Sequence, residues 1–263
     1  MSVVVEDPPR PAGMDPRLRQ RRIEVRRAEG RRRLRRLLIG LGAVAAAALL
    51  WALSYSSVLD IDHLEVPGLD ASKADAVRQA AAVDIGAPIL YLDSEGASTR
   101  VEALPWVESA GVHRSLRGTV TIDVVERRAV VAAPTPEGAW RLLDVEGHAI
   151  ADVPAPPLGV LALLGPVPPP DIGAAAGEPE RAAITASTML PAQLRERVGA
   201  VAWAEDGTVE LRLAPAGVVR LGLPIDLPAK YLSALAVLDE LGPAATIGVL
   251  DVRAPRAPVL ALA

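Results

Sequence analysis

Residues 37–59 carry no charge, and twelve arginines crowd the tail before them: Arg10, Arg17, Arg19, Arg21, Arg22, Arg26, Arg27, Arg31, Arg32, Arg33, Arg35 and Arg36. As a helix, the uncharged run of 23 residues extends about 34 Å, enough to cross a bilayer core of roughly 30 Å. Its most apolar part is LLIGLGAVAAAALLWAL at 37–53. Five acids in the tail (Glu6, Asp7, Asp15, Glu24, Glu29) leave it at +7 and the remainder of the chain at −11, so the overall −4 joins two oppositely charged pieces. Basic residues beside a span set its orientation, which predicts a cytoplasmic tail and an extracytoplasmic remainder. Arg35 and Arg36 on the inner side, and Trp51 and Tyr55 near the outer end, are the expected interface anchors. A cleaved signal peptide is the competing reading, with small residues at 46–54 offering a cleavage site. Its basic region is expected to be far shorter than this tail, and its apolar region shorter than this run.

Arginine clusters also neutralise nucleic-acid phosphates. Here no aromatic residues are interleaved for base stacking, and a basic segment abutting a span serves topology and attraction to anionic lipid. No nucleic acid is expected as a partner, whereas membrane lipid is. The chain has no cysteine and no phenylalanine, so the part beyond the span needs a disulfide-free core of Val, Leu, Ile and Ala.

From residue 58 the pattern is that of an α+β chain. Ile61, His63 and Glu65 alternate with Asp62, Leu64 and Val66 as a weak strand closed by Pro67-Gly68. Asp70 or Ser72 can cap a helix reaching about Ala82, and Asp93 or Ser94 a second reaching about Ala103, whose inward stripe would be Ala97, Val101 and Leu104. Pro105 ends it. Two strands follow, at 106–113 and 119–124, joined by a turn at 116–118. The order is strand, helix, helix, strand, strand, with both helices on one face of a small three-stranded sheet.

The second stretch begins with a hairpin at 140–150 turning at Glu146-Gly147, shaped by Asp144 and Glu146. The prolines of 154–171 predict a loop or irregular edge outside any sheet. A helix is expected at 180–189, a short turn of helix from Pro191, and strands at 200–204, 208–213 and 218–221. In the middle strand Val209, Leu211 and Leu213 face one way and Glu210 and Arg212 the other. Asp226 is expected to cap a helix at 228–241 with a stripe of Tyr231, Leu232, Leu235, Leu238 and Leu241. Strands at 247–253 and 258–262, joined by a turn at 254–256, complete the chain.

Catalytic chemistry has no sequence signature here. His63, His113 and His148 fall on different elements, with no second ligand at i+2 to i+4, and none has the spacing of converging ligands, which argues against a metal site. No nucleophile elbow, phosphate-cradling loop or dinucleotide fingerprint occurs. Acid pairs such as Asp60/Asp62 and Asp239/Glu240 sit at element ends, where solvation is the ordinary state. No cofactor is expected.

The region beyond the span resembles the bacterial division proteins called FtsQ or DivIB along nearly its whole length. The first unit is similar to the POTRA domain that follows the span in that family. Its Val-x-Gly element is met by Val66 and Gly68, and its Gly-x-x-Leu-x-x-Leu-Asp stretch by Gly86, Ile89, Leu90, Leu92 and Asp93. Its Pro-Trp-Val is met by Pro105, Trp106 and Val107, with Ala110, Val112 and Arg114 after it, and its Glu-Arg strand end by Glu126 and Arg127. Later marks are the 142–147 hairpin LLDVEG, the strand Val219-Arg220-Leu221-Gly222 and the strand 248–253, GVLDVR, with Pro258 beyond it. One departure is Arg128-Ala129 where the family commonly has proline shortly after Glu-Arg, which predicts a less rigid join.

The resemblance implies four segments: a cytoplasmic tail (1–36), a transmembrane helix (37–57), a POTRA-like domain (58–130) and a C-terminal β domain of mixed sheet and packed helices (131–263). It implies a non-enzymatic divisome scaffold at the septum. Its partners would be FtsB/DivIC-like and FtsL-like coiled-coil proteins, and indirectly the FtsW–FtsI synthase pair. The candidate docking element is a final edge strand, Ala257, Pro258, Val259, Leu260, Ala261 and Leu262, with Arg253 beside it. A membrane-anchored sensor or adaptor outside division, and an anchored cell-wall hydrolase, are the alternatives.

Overall fold

The computed structural model describes residues 35–52, 59–242 and 247–262. Its first element, α1 (Arg35–Ala52), has a mean hydropathy of 1.5 over 18 residues and buries none of them. Arg35 and Arg36 begin the described helix and Trp51 is exposed near its end. Tyr55 lies outside the described residues.

The next unit follows the expected order: β1 (His63–Glu65), α2 (Ala71–Ala81), α3 (Ser94–Glu102), β2 (Val107–Ser115) and β3 (Thr119–Glu126). The sheet order is β1-β3-β2, with β1 parallel and β2 antiparallel to β3. Both helices start as their acids predict. Asp70 accepts a hydrogen bond from the Lys73 amide, and Asp93 accepts one from the Gly96 amide, each satisfying an N–H that a first helical turn leaves open. Val77, Ala81 and Val101 form a core with Val107 and Ile122, and Ala97 is buried on α3. The expected alternation from Ile61 fails locally: Ile61 and Val66 are both buried, which strict period-two geometry forbids. β1 covers only 63–65, so Ile61 and Val66 lie outside it and enter separate core clusters, and the amides of Asp62 and His63 both donate to the Gly118 carbonyl.

The second sheet has nine strands in the order β12-β11-β10-β9-β8-β7-β4-β5-β6. In sequence these are β4 (Val131–Pro134), β5 (Trp140–Leu143), β6 (Ala149–Val153), β7 (Leu161–Leu164), β8 (Val198–Trp203), β9 (Val209–Leu213), β10 (Val218–Gly222), β11 (Ile247–Asp251) and β12 (Val259–Leu262). Helices α4 (Glu178–Thr188) and α5 (Ala192–Arg195) connect the parallel pair β7 and β8, and α6 (Leu227–Leu241) connects the parallel pair β10 and β11. Leu163, Ile184, Leu194, Leu211, Leu221, Tyr231 and Leu250 meet in one core, and the Tyr231 hydroxyl donates to the Ala186 carbonyl at 2.6 Å, tying α6 to α4. Burial raises the Tyr231 phenol well above its ordinary pKa.

Three expectations fail in this sheet. The proline-dense stretch is not wholly a loop: β7 lies within it, at the sheet centre between β4 and β8. Its four residues LALL fall between the prolines, so no ladder amide is lost. Asp226 precedes α6 but its side chain makes no cap; it has φ of +54°, and its carbonyl accepts from Lys230 instead. Leu232 is 68% exposed, and its place in the stripe is taken by Leu227, Lys230 and Ala234. Lys230 is tolerated there because its ammonium donates to the carbonyls of Leu221 and Leu223, both at 2.8 Å. Burial nevertheless lowers its pKa, against the opposing pull of Asp226.

Candidate docking edge and interdomain clamp

β12 pairs with β11 in the antiparallel register Asp251↔Val259, Leu250↔Leu260 and Val249↔Ala261, and has no second neighbour among the described residues. A strand in that position presents every other N–H and C=O outward. Leu260 packs against the core, whereas Val259 and Leu262 are exposed. The edge is therefore anchored by one side chain and displays two.

Arg253, Ala257 and Val259 line one shallow groove of about 410 Å³ with Asp251 and Ala254. The turn between the strands is held by Asp251, which accepts from the Arg253 amide at 3.0 Å and from its guanidinium Nη2 at 2.6 Å. That hydrogen bonding keeps the Asp251 carboxyl below its ordinary pKa and raises Arg253. The structure thus gathers Arg253, Ala257 and Val259 of the expected docking element around one groove. Pro258 precedes the strand and Ala261 lies along it.

The POTRA-motif residues fall into a different arrangement. Val66 and Val107 are core. Gly68 and Gly86 have φ of +81° and +88°, values that side-chain-bearing residues avoid. The buried member of the Gly86–Asp93 stretch is Ile89, whereas Leu90 and Tyr91 point outward. Lys73 pairs with Glu126 and stands 5.3 Å from the Trp106 ring centre. Pro105, Arg127 and His148 line a small cleft between the two sheets.

Arg127 is the residue whose role the sequence did not show. Its Nη1 lies 2.6 Å from Asp144 Oδ2, 3.3 Å from His148 Nδ1 and 3.5 Å from Glu146 Oε2. Asp144, Glu146 and His148 bring three ligand-type atoms within 4.8 Å of one another. The cation they hold is the guanidinium, because two carboxylates facing one direction need a compensating charge and Arg127 supplies it with hydrogen bonds. The other oxygen of Asp144 accepts from the amides of Glu146 and His148, shaping the β5–β6 turn as expected. The signal is the spacing Asp144-x-Glu146-x-His148, which places two carboxylates before the histidine, outside the i+2 to i+4 window, and the structure brings all three together. The clamp also bears on the join: Arg127 N–H donates to Trp106 and Val130 N–H to Leu143. Residues 128 and 129 are therefore bracketed on both sides by backbone hydrogen bonds.

The model of the POTRA domain, FtsQ-type, matches residues 59–127. The chain is 31% identical over 208 residues to the cell division protein FtsQ of Streptomyces griseus, covering 78% of this chain and 98% of that protein. The chain belongs to the FtsQ family of cell division proteins. It is also 32% identical over 213 residues to FtsQ of Rhodothermus marinus, covering 79% of the chain and 76% of that protein. With FtsQ of Mycolicibacterium smegmatis it shares 31% identity over 220 residues, 84% of this chain but 62% of that longer protein. The chain is thus a cell division protein with an FtsQ-type POTRA domain, and its N-terminal apolar helix fits membrane anchoring.

Proposed function

We propose that this chain is a non-enzymatic divisome scaffold, inserted once in the membrane with its arginine-rich tail in the cytoplasm and residues beyond the span outside. It acts at the septum, where it captures FtsB/DivIC-like and FtsL-like coiled-coil proteins and through them influences the FtsW–FtsI synthase pair. The observation that carries the docking part is the open β12 edge, with Val259 and Leu262 exposed on it. A partner segment adding a strand there gains main-chain hydrogen bonds, and the groove beside Arg253, Ala257 and Val259 receives its side chains. Family membership favours this over the sensor and hydrolase alternatives. The domain limits 58–130 and 131–263 are part of the same proposal.

The test is capture of purified FtsB- and FtsL-like partners by the full chain in detergent, compared with a chain lacking residues 257–263. Loss of capture with α4 and α6 helicity retained is the expected result. Undiminished capture by the shortened chain would refute strand addition at β12.

A further inference from the structure

The two ends of the POTRA domain are chemically different. Because β1 and β3 run parallel and β2 runs against them, one end gathers the entering chain at 59–62, the loop after α2 at 83–91 and the β2–β3 turn at 115–118. Hydrogen bonds stitch these three segments together: Ile61 N–H to Ala87, Gly86 N–H to Ile61, and Asp62 N–H to Gly118. The opposite end carries Glu126 and Arg127 into the second sheet. Between residues 59 and 127 the exposed large apolar side chains are Ile85, Leu90, Tyr91, Leu116 and Val125. All but Val125 belong to the end where the chain enters.

Local packing fixes that display. Arg114 Nη1 donates to the carbonyls of Ile89 and Leu90 at 3.3 and 2.9 Å, holding the short turn with Ile89 buried and its two successors outward. The last described residue of α1 is Ala52 and this end begins at Leu59, and the seven Cα–Cα steps between them reach at most about 25 Å. The end with the apolar side chains is therefore the one that the tether keeps beside the membrane.

We propose that Ile85, Leu90, Tyr91 and Leu116 seat this end of the POTRA domain in the headgroup–acyl boundary of the adjoining leaflet. The occupant is lipid because chain connectivity fixes what lies next to this surface. An amphipathic ring such as Tyr91 flanked by aliphatic side chains suits that boundary. The charged groups at this end are Asp60, Asp62 and Asp84 against Arg114 and Arg117. Their near balance gives no preference for anionic lipid. Four side chains make a weak contact in free solution, but the tether raises the effective concentration of membrane to a level at which weak contacts are populated. The inference rests on the membrane-anchored reading above and adds a fixed orientation to it.

The absence of cysteine makes a direct test simple, since one introduced cysteine is the sole labelling site. The full chain, carrying Leu116→Cys or Val125→Cys with a nitroxide, is placed in phosphatidylcholine nanodiscs with or without phosphatidylglycerol. Collision with oxygen, which partitions into lipid, is compared with collision with a water-soluble nickel chelate. The expected result is an oxygen-to-nickel ratio several-fold higher at the Leu116 label than at the Val125 label, in both lipid mixtures. Adding Ile85→Ser and Tyr91→Ser should return the Leu116 label to the aqueous ratio. Equal, water-like ratios in a chain that co-purifies with the nanodisc overturn the proposal and leave the anchor standing. Failure of the chain to insert overturns the anchor and the proposal together. Exclusion of both reagents with spin–spin broadening would assign the surface to a second copy and overturn lipid seating.

Discussion

The two edges of the nine-stranded sheet are finished in different ways. At β6 the segment 173–176 lies across the start of the strand, with Ala149 N–H donating to Ala174 and Gly173 N–H donating to Ala149. Farther along, Asp152 is locked to Arg141 by two hydrogen bonds of 2.7 and 2.8 Å. The turn leading into β6 is gripped by Arg127. At β12 the Asp251–Arg253 pair holds the turn leading into the strand, but no covering segment is present among the described residues, and the side chains displayed are Val259 and Leu262. A covered, charged edge resists pairing, and an open apolar one invites it. The contrast is one of finish: one edge carries a covering segment at its start and a charged lock, and the other displays apolar side chains.

The largest effect should come from proline on the open edge. Successive amides of β12 point alternately to β11 and outward, so Leu260→Pro and Ala261→Pro remove different bonds. One should weaken the ladder and lower thermal stability; the other should abolish partner capture, with at least a tenfold loss of affinity at nearly unchanged stability. Co-sedimentation and thermal melts of the two variants decide it. Two variants with the same phenotype would remove the reason for calling β12 a docking strand.

Next comes the clamp that secures the covered edge. Arg127→Ala strips the charge from a nearly buried Asp144, and breaking such a pair costs about 3 kcal/mol. A double-mutant cycle with Asp144→Asn should recover part of the loss, and proteolysis near residues 128–130 should accelerate in the single variant. No coupling in the cycle would show that the turn holds without Arg127.

Glu180 tests the same region through pH. It sits in the first turn of α4, just after the segment covering β6, and is only 5% exposed. Burial pushes its carboxyl up to about 7. The folded state then holds a proton that the unfolded chain has released, so stability falls as pH rises from about 4.5 toward 7. Glu180→Gln should flatten that slope and raise the melting temperature at pH 8 by a few degrees. A wild-type slope retained in the variant would place the titrating group elsewhere.

The smallest effect is expected at Asp152→Asn. The Arg141 guanidinium holds the Asp152 carboxyl below its ordinary pKa. The pair is therefore fully stabilising above the unfolded carboxylate pKa and is lost as pH falls through the lowered value. Loss of roughly 1 kcal/mol at neutral pH, absent in strong acid, is expected, with partner capture unchanged. Impaired capture would mean that the covered edge also takes part in docking.

Local signals in the sequence were reliable where the physics is local. Asp70 and Asp93 cap their helices because an acid one turn from an apolar stripe has few other uses. The alternation in 209–213 identifies a half-wet strand, and Glu210 does face Arg220 and Arg212 on the polar side. Asp226 misled for the same reason: it has the right residue type, but its positive φ turns the side chain away from the amides. Leu232 misled because periodicity counts apolar residues without knowing which neighbour is there to cover them. The final strand was legible as a strand, whereas the clamp required Arg127 and the Asp144–His148 turn to meet across two sheets.

By itself the sequence determined the apolar helix, the helix caps, the element order of the first unit and the final apolar strand. Each depends on residues within a few positions of one another. Only the tertiary structure decided that β7 threads between β4 and β8, that Arg127 fills the acidic turn, and that the start of β6 is covered while β12 has no second neighbour among the described residues. Strand order and edge exposure depend on which distant segments pair. Period-two patterning says which face of a strand is buried, and is silent about which strand lies beside it.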